Sequence, residues 1–141
     1  MLIIANHKEK VVYPIDLKTS SKPEWDFYKS FVEWGYSQQS RLYWRLIRQA
    51  MNNDEYFKDF YLDDYRFIVV NRFTLTPLVW KFEDTQTYGT ITKVNSKGYT
   101  TIMRDPCDVG KELTKYLSEP ITVPHDVSLT SDNSINYHLS K

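Results

Sequence analysis

The chain has 141 residues, and its eighteen Lys plus Arg balance eighteen Asp plus Glu, leaving zero formal net charge. Such a length fits one domain, and neutrality argues against a polybasic nucleic-acid tail or an acidic solvating tail, leaving local clustering as the source of any charge effect. With 41% apolar and 16% aromatic residues the chain can bury a real core, which excludes disorder by composition.

Leu2 to Ala5 and Val11 to Ile15 are short β-prone runs joined by the polar stretch Asn6 to Lys10, the pattern of a hairpin. Pro14 lacks an amide hydrogen, so the second of these strands is expected at a sheet edge. Ser21, Pro23 and Glu24 then form a helix-start signal: a capping hydroxyl, a proline in the first turn and an acid facing the dipole. Trp25, Phe27, Tyr28, Phe31, Val32 and Trp34 fill half of the following wheel, opposite Asp26, Lys29, Ser30 and Glu33, and Gly35 is a natural stop.

A second helix is expected from Ser37 to about Met51, its apolar face formed by Leu42, Tyr43, Leu46, Ile47, Ala50 and Met51. Asn52, Asn53 and Asp54 interrupt the chain, and a short third helix with Tyr56, Phe57, Phe60 and Tyr61 on one side follows. Strands come next: Tyr65 to Phe73, Leu78 to Phe82, Tyr88 to Val94 and Tyr99 to Met103. The last two flank the loop Asn95-Ser96-Lys97-Gly98, and equal spacing from it sets Val94 opposite Tyr99 and Ile91 opposite Ile102. Asp105-Pro106, with Asp108 after the cap, starts a final helix carrying Val109, Leu113, Tyr116 and Leu117, which Pro120 ends.

Helices first and strands after them indicate an α+β fold: N-terminal β-hairpin, two to three helices, an antiparallel sheet of about four strands, and a C-terminal helix. Residues 1–124 are expected as a single domain, and the Ser-, Asp- and Asn-rich residues 125–141 as a flexible tail.

On the second helix Arg41, Arg45 and Arg48 fall within about 60 degrees of one another, with Trp44 one turn away. Three guanidiniums and an indole on one exposed face suit phosphate binding and base stacking. Lys93 and Lys97 of the later hairpin add a basic, aromatic element resembling the wing of a winged helix, although the helix that would read bases is acidic. A contact with nucleic acid through these six residues is therefore the first functional expectation. Its plainer alternative is an ordinary solvated helix face.

Asp54, Glu55, Asp59, Asp63 and Asp64 surround Tyr56, Phe57, Phe60, Tyr61 and Tyr65. An acidic surface rich in tyrosine suits protein contacts, so the second expectation is an inhibitor of a host defence or nucleic-acid enzyme, acting through Tyr56, Asp59, Tyr61 and Asp63. The plainer alternative is that these acids neutralise the preceding Arg face. Homo-oligomerisation through exposed aromatics is a third.

A catalytic function is not expected. Cys107 has acids on both sides and only His7, His125 and His138 as candidate bases, which lie in a hairpin or in the tail, so it reads as inert. Those histidines lack metal-ligand spacing, and no phosphate-binding glycine loop or nucleophile elbow occurs, so neither a metal nor another cofactor is implied. No apolar run is long enough for a membrane span and no secretory signal is visible, which together with a single cysteine indicates a cytoplasmic protein without membrane contact. Two Ala and four Gly against twelve Lys, eleven Tyr and nine Ile point to an AT-rich gene, as in a low-GC bacterium, its phage or a mobile element.

Overall fold

The computed structural model describes residues 1–119, 125–129 and 135–139. The chain divides into two units, Met1–Val109 and Gly110–Lys141. The fold is α+β.

The first unit opens with the expected hairpin, β1 (Leu2–Asn6) and β2 (Val11–Ser20), paired antiparallel with Leu2 opposite Ile15 and Asn6 opposite Val11. A 3-10 turn (Glu24–Asp26), α1 (Phe27–Glu33) and α2 (Tyr36–Asn52) follow. Gly35 stands between the helices at φ +63°, a left-handed conformation that glycine adopts without strain. After α2 come β3 (Tyr61–Leu62), β4 (Arg66–Asn71) and β5 (Pro77–Lys81), then the hairpin β6 (Ile91–Val94) and β7 (Thr100–Met103).

The main sheet has the order β1-β2-β4-β5, with β3 also paired to β2. It is mixed where an all-antiparallel sheet was expected. β2 runs parallel to β3 and β4, because the helical block forms a long crossover that returns the chain in the same direction. β2 is also central, although Pro14 suggested an edge. The registers give the reason. Val11 and Val12 face Tyr61 and Leu62, fifty residues on, whereas Ile15 faces Arg66, fifty-one residues on. One extra residue therefore bulges within Asp63-Asp64-Tyr65. Lys10 and Val12 direct their carbonyls to that side, accepting from Tyr61 and Asp63, so the two-residue alternation aims the missing Pro14 N–H at the bulge. No ladder bond is lost there.

Residues 53–60 form turns instead of a third helix. The Asp54 carboxylate accepts from the Tyr56 and Phe57 amides at 2.8 and 3.0 Å, which satisfies those donors locally and closes a turn instead of propagating a helix. The β6–β7 hairpin also departs from equal spacing. Gly98, at φ +82°, donates to the Asn95 carbonyl while the Asn95 amide donates to Tyr99, both at 3.0 Å. The glycine bulge shifts the register by one, so Val94 faces Thr100 and Ile91 faces Met103. A one-residue shift reverses the faces: Met103 is buried and Ile102 exposed, so Ile91 and Ile102 do not share the inner face.

Two clusters make the core. Phe27 and Phe31 of α1 pack on Tyr65, Phe67, Val69, Phe82 and Met103, while Trp44, Ile47 and Met51 of α2 pack on Val12, Phe60 and Leu62. Trp25, Tyr28, Val32 and Trp34, expected on the inner face of α1, are exposed. A seven-residue helix presents only two inward positions to the sheet, and Phe27 and Phe31 take them.

α3 (Pro106–Ser118) starts in the first unit and continues into the second. Within the expected tail, β8 (His125–Leu129) and β9 (Ile135–Leu139) pair antiparallel; the remainder of residues 120–141 lies outside the described residues. Among the described residues no helix is long and apolar enough to cross a membrane.

Candidate functional site

α2 places the cationic row. Ser37, Ser40, Arg41, Trp44, Ile47 and Met51 are its buried positions, an i, i+3, i+4, i+7 stripe, while Leu42, Leu46 and Ala50 face solvent. The wheel is thus rotated from the expected one, and the guanidinium row does not point outward. Arg41 is 0% exposed. Its guanidinium donates to the carbonyls of Thr87 at 2.7 Å, Arg104 at 3.3 Å, Met103 at 3.5 Å and Gly89, and to the Asp105 carboxylate at 3.2 Å. Four main-chain acceptors and one carboxylate offset the cost of burying this charge, while its Nε has no hydrogen-bond partner among the described residues. Burial lowers the Arg41 pKa, and the charge of Asp105 works against that.

Asp105 is the centre of the arrangement. Arg45 grips it with two hydrogen bonds, 2.8 and 2.7 Å, in the forked geometry of a guanidinium on a carboxylate. The amides of Gly89 and Cys107 add donors at 2.7 and 2.8 Å. The hydrogen bonds from Arg45, reinforced by the amides of Cys107 and Gly89, hold the Asp105 carboxyl well below the usual carboxylate range in spite of burial. The same hydrogen bonds raise Arg45. The Arg45 guanidinium also lies over the Tyr88 ring at 4.4 Å and 3.0 Å from the exposed Cys107 sulfur. The arrangement ties α2 to the base of the β6–β7 hairpin and to the start of α3.

Of the other residues expected to contact nucleic acid, Trp44 is buried and donates its indole N–H to the Asp63 carbonyl at 3.0 Å. Arg48 is partly buried and donates to the Phe60 carbonyl at 3.4 Å. Lys93 forms an ion pair with Asp84, and Lys97 is exposed in the hairpin loop. The six residues do not form one surface.

The acidic residues are distributed differently from either expectation. Asp63 pairs with Arg66 at 2.7 Å and Asp64 with Lys81 at 3.3 Å, so neutralisation comes from the sheet and not from the Arg row of α2. Burial raises the Asp63 pKa, but the Arg66 hydrogen bond and the Asp64 amide outweigh it and the net shift is downward. Asp63 is thus partly buried and ion-paired within the chain. Tyr56 and Tyr61 stay 59% and 55% exposed, and Asp59 is exposed with no ion pair among the described residues. His7 packs against Tyr56, Phe57 and Phe60, with a 2.9 Å hydrogen bond to the Tyr56 hydroxyl. Gln86 donates to the Tyr61 hydroxyl at 3.2 Å.

A cleft of about 420 Å³ joins the two nominated sets, lined by Trp44 and Arg48 from one and by Asp59 and Tyr61 from the other, together with Lys58 and Gln86. Comparison with known proteins finds no matching family, no matching curated protein and no matching solved structure. Sequence reasoning misses Asp105 as the partner of the Arg row. Asp105 was legible only as a helix cap, since nothing in the sequence pairs it with arginines sixty and more residues earlier.

Proposed function

We propose that this chain is a small, non-enzymatic binding protein that engages a protein partner through the acidic, tyrosine-bearing surface of residues 54–61. The observation that supports the reading is a division of labour among the charges. The arginines best suited to nucleic acid are spent on Asp105 and on main-chain carbonyls, while Tyr56, Asp59 and Tyr61 remain outside.

The segment is held in shape before any partner arrives. Asp54 closes its first turn, Phe60 is buried beneath it, and His7 braces it from the β1–β2 turn. A surface ordered in advance loses little entropy on docking, and tyrosine offers contact area with few rotatable bonds. Asp54, Glu55 and Asp59 against the single Lys58 leave the segment acidic, which fits a basic protein surface such as the cleft of a nucleic-acid enzyme. Occupying that cleft would make the chain an inhibitor.

The test is affinity capture from cells expressing the tagged full chain, with Asp59→Lys and Leu42→Lys as variants. The reading expects one basic protein recovered by the unchanged chain and by Leu42→Lys, and lost with Asp59→Lys. Equal recovery by all three, or tight salt-sensitive binding of the purified chain to duplex DNA, overturns it.

A further inference from the structure

We infer that β1 is a self-association edge, at which a second copy of this chain adds its own β1 antiparallel and continues the sheet across a two-fold axis. β1 and β5 end the sheet, and they are finished differently. β5 starts at Pro77 and ends at Lys81, residues that discourage further pairing. β1 reads Leu-Ile-Ile-Ala-Asn, with no charge and no proline, and pairs with β2 in unbroken register. Leu2, Ile3 and Ile4 are 54%, 53% and 51% exposed, so the Leu2–Ile4 face is open at this edge, and on the opposite face Ile3 is half exposed while Ala5 packs against the α2 cluster.

The backbone is available as well. β2 aims Lys10 and Val12 toward β3, so Val11, Tyr13 and Ile15 aim toward β1 and pair there with Asn6, Ile4 and Leu2. By alternation Ile3 and Ala5 direct their N–H and C=O groups outward, where nothing among the described residues pairs with them.

A second copy fits this edge better than another partner does. Antiparallel pairing of a strand with itself is self-complementary under two-fold symmetry. Setting Ile3 on Ile3 of the second copy puts Leu2 on Ile4 twice and brings Met1 of the second copy opposite Ala5. That position adjoins a groove of about 320 Å³ lined mainly by apolar side chains, among them Ile3, Ala5, Ile47, Met51 and Phe57, with Asp54 as its one acid, which a flexible methionine can enter. No strand residue carries charge and the chain is neutral overall, so the copies approach without repulsion. Met1, Leu2, Ile3, Ile4 and the neighbouring Leu17 are each just over half exposed. Together they offer on the order of 500 Å² per copy, roughly 1,000 Å² for the pair, the lower bound for a specific interface. The dimer is therefore a weak one, with Kd on the order of 10–100 μM.

Sedimentation equilibrium of the full chain tests it, with Ile4→Lys as the disrupting variant and circular dichroism to confirm its fold. The mass should rise toward twice 16.8 kDa with concentration, and Ile4→Lys should weaken association at least tenfold. An independent arm places Ile3→Cys in a Cys107→Ser background. Directly paired antiparallel residues lie about 5.5 Å apart at Cα, within disulfide reach, so oxidation should yield a covalent dimer that Leu46→Cys does not. If Ile4→Lys unfolds, the cysteine arm decides. A monomer at every concentration up to a few hundred micromolar, a dimer unchanged by a folded Ile4→Lys, or equal cross-linking of both cysteine variants overturns the inference.

Discussion

Asp105 and Arg45 meet through two hydrogen bonds of 2.8 and 2.7 Å, and the same carboxylate also receives the fully buried Arg41. One carboxylate thus receives two guanidiniums where α2 meets the base of the β6–β7 hairpin and the start of α3. Asp105→Ala leaves Arg41 in the interior without its carboxylate. The expected loss is about 3–5 kcal/mol, the cost of breaking a buried pair from one side. Urea unfolding followed by tryptophan fluorescence measures it. Lys97→Ala, in an exposed loop, should change the midpoint by less than about 0.5 kcal/mol.

The same carboxylate gives the stability a pH dependence of definite sign. The hydrogen bonds from Arg45 hold Asp105 below its ordinary range in the folded chain. In the unfolded chain it titrates near pH 3.9. The unfolded state therefore takes up the proton first as pH falls. The contribution of Asp105 is complete above about pH 5 and declines progressively below about pH 4. Urea midpoints between pH 7 and pH 2 should show this decline, and Asp105→Asn should flatten it while lowering stability at pH 7. Retention of the full slope in Asp105→Asn would place the acid sensitivity on other carboxylates.

Tyr65 governs the alkaline side. It is fully buried, and its hydroxyl has no hydrogen-bond partner among the described residues. Burial, with the charge of Asp16 nearby, raises its pKa above the ordinary tyrosine value. The unfolded chain ionises first, so stability falls as pH rises past about 10. Tyr65→Phe removes an unsatisfied polar atom and keeps the ring. Stability at pH 7 should stay level or rise by up to about 1 kcal/mol, and the loss above pH 10 should shrink. A drop of more than about 1 kcal/mol would show that the hydroxyl does form a bond.

The parts of the fold that depend on neighbours in sequence were legible: the first hairpin, the helix after Pro23, α2, and the start of α3 at Asp105-Pro106. What failed depended on partners distant in the chain or on local turns that period counting does not see, the glycine bulge at Gly98 and the Asp54 turn. Pro14 marks an edge only if the adjacent strand is unbroken, and the bulge at 63–65 breaks it. Equal spacing across Asn95–Gly98 holds only without a glycine bulge. The helical wheel alone assigns the Arg row to water because an isolated helix has no acceptors to offer it. The folded chain supplies five, four of them main-chain carbonyls, which carry no sequence signal.

The rotated face of α2 yields a paired mutational test. Ile47 is buried against Trp44 and Met51, whereas Leu46, one residue earlier and equally apolar, faces solvent. Ile47→Ala removes packed methylene groups and should cost about 2–4 kcal/mol. Leu46→Lys introduces a charge on a surface position with good helix propensity and should stay within about 0.5 kcal/mol. The wheel read from sequence alone puts both residues in the core and expects both changes to be severe. Thermal unfolding of the two variants side by side separates the cases. A large loss from Leu46→Lys would mean that another surface covers the outer face of α2. A negligible loss from Ile47→Ala would remove α2 from the second core cluster and, with it, the burial of Arg41.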